Sequence, residues 1–208
     1  INKKEILKLI NNLLNIQNIF YEKFGVDDII SNSKIYEILI ANTLRHDLIK
    51  GHSGSRDASD SSGNQYEYKH FKETSSNKSW TFNDYTDTTI EKLKQTKSVI
   101  FAHINDLVDP SIFDWYYEVD GKNVSKYLTD HTSSIQNTRK MINVSPNQIE
   151  TRLGIKKIFN KQNMSGIYSK ELSKLNNCVK NLENTSNIKN LMTSNKIWEL
   201  LTAIELNH

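Results

Sequence analysis

Three residues, Ser61-Ser62-Gly63, lie between two strand-like runs, Arg56–Asp60 and Gln65–Lys72, and constrain this chain more than any other feature. A three-residue loop ending in glycine fits a type I turn closed by a left-handed residue, the G1 bulge. It pairs Asp60 with Asn64, and therefore Asp57 with Glu67. Directly opposed residues share a face, with β-carbons about 5 Å apart. Along the second strand, alternation places Glu67 and Lys69 on one side and Tyr66 and Tyr68 on the other. A two-residue loop would oppose Ala58 to Glu67 and leave Asp60 as the nearer carboxylate, so the turn favours Asp57 while keeping Asp60 as a candidate.

Two carboxylates and an ammonium group on one face suit phosphodiester hydrolysis. That reaction needs charge neutralisation on the scissile phosphate and a deprotonated water in line with the leaving oxygen. Mg²⁺ held by one or two carboxylates meets both needs while keeping coordination positions for water and phosphate. A neighbouring lysine can hydrogen-bond the attacking water and offset the growing negative charge. On this reading Asp57 and Glu67, with Asp60 in reserve, are metal ligands and Lys69 positions the nucleophile.

The elements around this hairpin alternate in type. Asn2 and Glu5 form an N-cap pattern that opens a helix through about Ile16. A second helix is expected over Lys34–Leu48, where Ile35, Ile38, Leu39, Ala41 and Leu44 recur at helical spacing. A polar loop over Lys50–Arg56, with Gly51 and Gly54, leads into the hairpin. Beyond it, Glu73–Asp87 reads as a long polar segment, and Thr88 with Glu91 as the cap of a short helix. Lys97–Ile104, rich in β-branched and aromatic residues, reads as a buried strand. Asp120-Gly121 is a turn signal, so Phe113–Val119 and Asn123–Tyr127 are expected to form another hairpin. Arg139–Ser145 reads as a further strand, and the tail from Ser169 as helical. Helices, then strands, then helices indicate an α/β or α+β domain. One echo spans the chain: Lys34–Ala41 resembles Lys196–Ala203, which fits two similar amphipathic helices or a duplication.

The pattern Asp-x9-Glu-x-Lys (Asp57, Glu67, Lys69), on a hairpin preceded by a helix carrying Glu37, resembles the PD-(D/E)XK nuclease superfamily, and within it the type II restriction endonucleases. Arg56 stands where that family usually has proline, a departure that removes no ligand. The Asp60 alternative, Asp-x6-Glu-x-Lys, is similar to the mismatch-repair nicking nuclease MutH and its relatives. The resemblance covers about residues 34–104. It implies a mixed central sheet flanked by helices, a single nuclease domain over 1–208 with its core at about 34–145, and a helical part at about 169–208. It also implies that Glu37 completes the site, that Mg²⁺ (or Mn²⁺) is the cofactor with no nucleotide required, and that a homodimer cuts double-stranded DNA.

The 208-residue chain has a net charge of only +3, so any DNA contact must come from a local basic face rather than from a polycationic surface. Such a face is visible. From Thr132 to Lys161 six basic residues, among them Arg139, Lys140 and Arg152, face Glu150 alone. The preceding Phe101–His131 holds six acidic residues against Lys122 and Lys126, so the charge is polarised along the chain. Arg139 and Arg152 suit guanine edges, and Asn137, Asn143, Asn147 and Gln148 suit adenine. Arg56, Lys78 and Asn83 are further candidate contacts; the last two lie in Lys72–Tyr85, where Trp80 and Phe82 read as packing anchors.

Other chemistries fit poorly. Cys178 is the only cysteine, which rules out an intrachain disulfide and fits a cytoplasmic setting. The histidines lack zinc spacing, and His103 on the buried strand reads as a hydrogen-bonded core residue. No G-x-x-x-x-G-K loop exists to cradle a nucleotide, and no segment is apolar enough to span a bilayer. Gly166-Ile167-Tyr168 spells half of a GIY-YIG signature with no second half. The alternatives to a restriction enzyme are a mismatch- or structure-directed nickase or resolvase, a non-catalytic DNA-binding subunit, and a helical interaction module.

Overall fold

Apolar residues at Ile6, Ile10, Leu13, Ile16 and Phe20 make one stripe that is buried along helix α1, Lys3–Phe24. Asn2 caps its start by accepting from the Glu5 amide, as expected, and Gly25 ends it in the left-handed region at φ 66°. The helix runs eight residues past Ile16, because Phe20 extends the stripe. The computed structural model describes residues 2–31, 34–49, 56–106, 113–160, 166–192 and 195–206. The expected loop at Gly51 and Gly54 lies outside the described residues, as do His52, Asp109 and Lys161.

The second helix, α2 (Lys34–Leu44), is shorter than expected. Arg45 adopts φ 60° and breaks it, and Asp47–Leu48 becomes a short strand, β1. β1 pairs antiparallel with β2 (Ala58–Ser59), and β2 with β3 (Gln65–Lys72). β3 runs parallel to β5 (Ser98–Ile104), which pairs antiparallel with β6 (Phe113–Asp120). β8 (Ile158–Phe159) closes a six-stranded mixed sheet of order β1-β2-β3-β5-β6-β8. Every residue of β5 is buried, as expected of the run beginning at Lys97. With α-helices flanking this sheet, the fold is α+β, of the restriction-endonuclease kind.

Two segments differ from expectation. Glu73–Asp87 is not an extended polar loop: Trp80–Tyr85 is a strand, β4, and pairs with β7 (Lys140–Val144) in a separate two-stranded ribbon. Trp80 and Phe82, both fully buried, alternate along it and drive the pairing. Asp120-Gly121 does not turn a hairpin. Instead, the Asp120 carboxylate accepts from the amides of Lys122 and Asn123 and caps α4 (Gly121–Thr132). Val124, Leu128 and Thr132, four residues apart, form the buried face of that helix. The short helix α3 (Asp87–Lys92) is capped by Thr86 rather than Thr88.

The sheet separates two hydrophobic clusters. On one face, Tyr66, Tyr68, Ile100 and Ala102 pack with α1, α2, α6 (Ser169–Ser186) and α7 (Lys196–Glu205). On the other, Phe71, Val99 and Phe101 pack with the β4–β7 ribbon, α4, and Ile149 of α5 (Pro146–Arg152). Cys178 is buried on the inner side of α6, its Sγ 3.5 Å from the Leu9 carbonyl. Among the described residues no helix is long and apolar enough to cross a membrane.

Candidate active site

The hairpin has the geometry its turn residues dictate. Gly63 takes φ 80°, and the Gly63 amide donates to the Asp60 carbonyl at 3.0 Å. The register Ala58↔Tyr66 and Ser59↔Gln65 is the one a three-residue loop requires, and it brings Asp57 up to the Glu67 position of β3. Asp57 is half-buried, and its Oδ2 accepts from the Tyr68 amide at 2.6 Å. Burial raises the Asp57 carboxyl well above the usual carboxylate range, and the negative charges of Glu67 and Glu37 raise it further. Lys69 and the Tyr68 amide pull the other way without offsetting them. The candidate acid on α2 therefore stands close enough to Asp57 to act on it electrostatically. Glu37 also pairs with Lys34 one turn earlier.

Glu67 is almost fully buried. Its Oε1 accepts from Lys69 Nζ at 2.6 Å and from the Tyr85 hydroxyl at 2.8 Å. Its Oε2 is also buried and has no hydrogen-bond partner. Burial works against charge on Lys69, yet Glu67, Tyr85 and Asp57 outweigh it and raise the amine above its usual value. The Lys69 amine also lies 5.2 Å from the Phe82 ring centre and 5.5 Å from that of Tyr85. Asp57, Glu67 and Lys69 thus gather on neighbouring strands, with Glu37 of α2 near enough to act on Asp57 electrostatically. An unpartnered buried carboxylate oxygen in such a cluster fits a divalent cation bound to oxygen ligands. Among the described residues no three His, Cys, Asp or Glu side chains form a metal cage by themselves.

Asp60 does not join this cluster. Its oxygens accept from the Ser62 and Asn64 amides, the Asn64 side chain and the Tyr66 hydroxyl, all within the hairpin. These donors lower its carboxyl to about 2 and tie it into the turn. Tyr85 was not legible as a site residue, because β4 was expected to be loop. The alternation of the buried Trp80 and Phe82 with Thr81 is the pattern in the sequence that corresponds to this strand.

The candidate DNA contacts divide. Arg139, Asn83, Asn147 and Arg152 are exposed. Lys140 is buried, with its amine on Asp87 Oδ1 at 2.5 Å, and so holds the ribbon to α3 rather than facing a phosphate. Gln148 closes a capping box with Ser145 at the start of α5. Lys78 pairs with Glu73, and Arg56 with the Gln95 side chain. Asn143 of β7 accepts from Thr81 Oγ1 of β4 at 2.7 Å on the outer side of the ribbon. His103 is indeed a bonded core histidine: its Nδ1 meets Asp114 at 2.7 Å, its Nε2 meets Glu73 at 2.9 Å, and its ring stacks on Trp115.

No curated protein matches this chain. A family model described as restriction endonuclease PvuII matches residues 1–151, which include α1, α2, the hairpin, the ribbon and nearly all of α5. With that match over most of its length, and with the mixed sheet and acidic hairpin in place, the chain belongs to the PvuII family of type II restriction endonucleases.

Proposed function

We propose that this endonuclease cuts both strands of duplex DNA at a specific sequence, as a homodimer, in a reaction that depends on Mg²⁺. Asp57 and Glu67 would hold the cation, Glu37 is the third acid of the site, and Lys69 positions the attacking water. The observation that carries this reading is Glu67 Oε2, a buried carboxylate oxygen without a partner beside Asp57. A buried oxygen in that condition is costly unless a ligand completes it.

When bound, Mg²⁺ or Mn²⁺ supplies neutralisation of the scissile phosphate and acidification of a water. The chain's own groups do the rest. Glu67 and Asp57 keep Lys69 charged, so its amine serves as a hydrogen-bond donor to the incoming oxygen and not as a base. The Tyr85 hydroxyl fixes Glu67 from the ribbon side. The Tyr68 amide fixes Asp57 along the sheet. Phe82 and Tyr85 flank the Lys69 amine.

For the DNA itself, the exposed outer side of the β4–β7 ribbon and the adjoining α5 offer the polar groups. Asn83, Asn143 and Asn147 suit base edges, and Arg139 and Arg152 suit bases or phosphates. Twofold symmetry would place two sites on opposite strands of a palindrome.

The test is incubation of the purified chain with phage-length DNA, with Mg²⁺ or with EDTA, beside a Lys69→Ala variant. Discrete double-strand fragments that require Mg²⁺ and vanish in the variant are expected. Nicked circles from supercoiled plasmid would point to a nickase, and equal cleavage by Lys69→Ala would remove Lys69 from the mechanism.

A further inference from the structure

We infer that Tyr168, which lies beyond the family match to residues 1–151, is a positioning residue for Asp57. The inference rests on the reading of Asp57 as a metal ligand. β1 is the edge strand of the six-stranded sheet, and its hydrogen bonds alternate in direction. The Ile49 amide, one residue past β1, points inward and donates to the Asp57 carbonyl at 2.9 Å. The Leu48 amide points outward, where an edge strand ordinarily meets solvent. Here it donates to the Tyr168 hydroxyl at 2.9 Å, in a buried contact.

Tyr168 is held from three sides. Its own amide donates to Asn42 Oδ1 of α2 at 3.1 Å, and Ser169 Oγ donates to the same oxygen at 3.2 Å. Its ring meets Phe24 at the end of α1 edge-on, with ring centres 4.8 Å apart. Gly166 permits this approach: a β-carbon there would sit 2.2 Å from the Asn42 carbonyl oxygen. Asn42 is fully buried. The half-signature Gly166-Ile167-Tyr168 therefore has a structural use unrelated to GIY-YIG chemistry.

The consequence follows along one hydrogen-bonded path. α2 carries Glu37 and, five residues on, Asn42; Asn42 fixes Tyr168; Tyr168 fixes Leu48; and β1 fixes the main chain of Asp57. The tail segment thus sets the spacing between the acid on α2 and the acid on the hairpin. A bare edge strand two residues long would let that spacing vary.

The full-length chain tests this with Tyr168→Phe, which removes only the hydroxyl. Mn²⁺ binding is titrated by electron paramagnetic resonance, amide hydrogen exchange is read at Leu48 and Ile49, and thermal unfolding is recorded. Asp57→Asn and Lys23→Ala are run in parallel. Lys23→Ala breaks the 2.7 Å ion pair with Glu171 in the first turn of α6 and removes none of the hydrogen bonds that join Tyr168 to Asn42 and Leu48. Expected for Tyr168→Phe are a folded protein, faster exchange at both amides, and Mn²⁺ affinity weakened by about tenfold, as for other groups that orient metal ligands. Lys23→Ala should lower the unfolding temperature and leave Mn²⁺ affinity unchanged.

Wild-type Mn²⁺ affinity in Tyr168→Phe would overturn the positioning role. So would equal weakening in Lys23→Ala, or a Tyr168→Phe chain unfolded at the assay temperature, since each makes the effect merely structural. Undiminished Mn²⁺ binding by Asp57→Asn would instead overturn the metal reading of the site, and the positioning of Asp57 with it.

Discussion

The hydroxyl of Tyr85 donates to Glu67 Oε1 across 2.8 Å, joining the separate β4–β7 ribbon to the acid at the centre of the main sheet. The bond is buried, and Lys69 is the other donor to the same oxygen. Tyr85→Phe should therefore destabilise the protein by about 1–3 kcal/mol, the cost of removing one partner from a buried charged group. Urea unfolding measures this directly, and a loss below about 0.5 kcal/mol, within the range of ordinary surface substitutions, would show that the bond contributes little.

Asp57 should weaken the metal-free fold it belongs to. Its carboxyl lies well above the usual range because of burial first, then the charges of Glu67 and Glu37. With the folded value raised, the native state still holds a proton that the unfolded chain has released. Stability therefore falls as pH rises from the ordinary 3.8 up through the folded value. Asp57→Asn should flatten that decline and stabilise the protein at neutral pH by about 0.5–2 kcal/mol, as replacements of strained functional groups commonly do. Thermal unfolding in EDTA from acid to neutral pH checks both signs.

Asp60 behaves oppositely. Its carboxyl is held near 2 by the Asn64 side chain, the Tyr66 hydroxyl and two hairpin amides, against an ordinary 3.8. The stability it lends is complete above the unfolded value and is lost as pH falls from about 4 towards 2. Asp60→Asn should remove that acid limb while leaving Mn²⁺ affinity intact. Loss of Mn²⁺ binding in this variant would return Asp60 to the set of metal ligands.

Arg139 and Lys140 are neighbours in sequence with different surroundings. Arg139 is exposed, whereas the Lys140 amine is buried against Asp87 and Thr132. Arg139→Ala should lower DNA affinity and reduce the slope of log affinity against log salt by about 1, the signature of one lost phosphate contact. Lys140→Met should leave that slope unchanged. Binding titrations at several salt concentrations, without divalent metal, separate the two.

Much of the site was legible because its rules are local. Strand alternation alone puts Glu67 and Lys69 on one face, and a three-residue loop ending in Gly63 alone fixes which residues oppose one another. The buried strand at Ser98–Ile104 announces itself by composition. Where local rules compete, neighbouring residues alone do not decide the outcome. Asp120-Gly121 is a turn signal and equally a helix start, and the burial of Val124 and Leu128 against the second cluster decided for the helix.

The hairpin, its register and the chemical character of its acids follow from local residue order, since these depend on residues within a few positions of each other. It takes the folded chain to show that Tyr85 reaches Glu67, that the Lys140 amine pairs with Asp87, and that Tyr168 meets the edge strand beside Asp57. Each of those contacts joins segments distant along the chain. Their energy comes from excluding water between surfaces that meet only after folding, and no local periodicity records which surfaces those are.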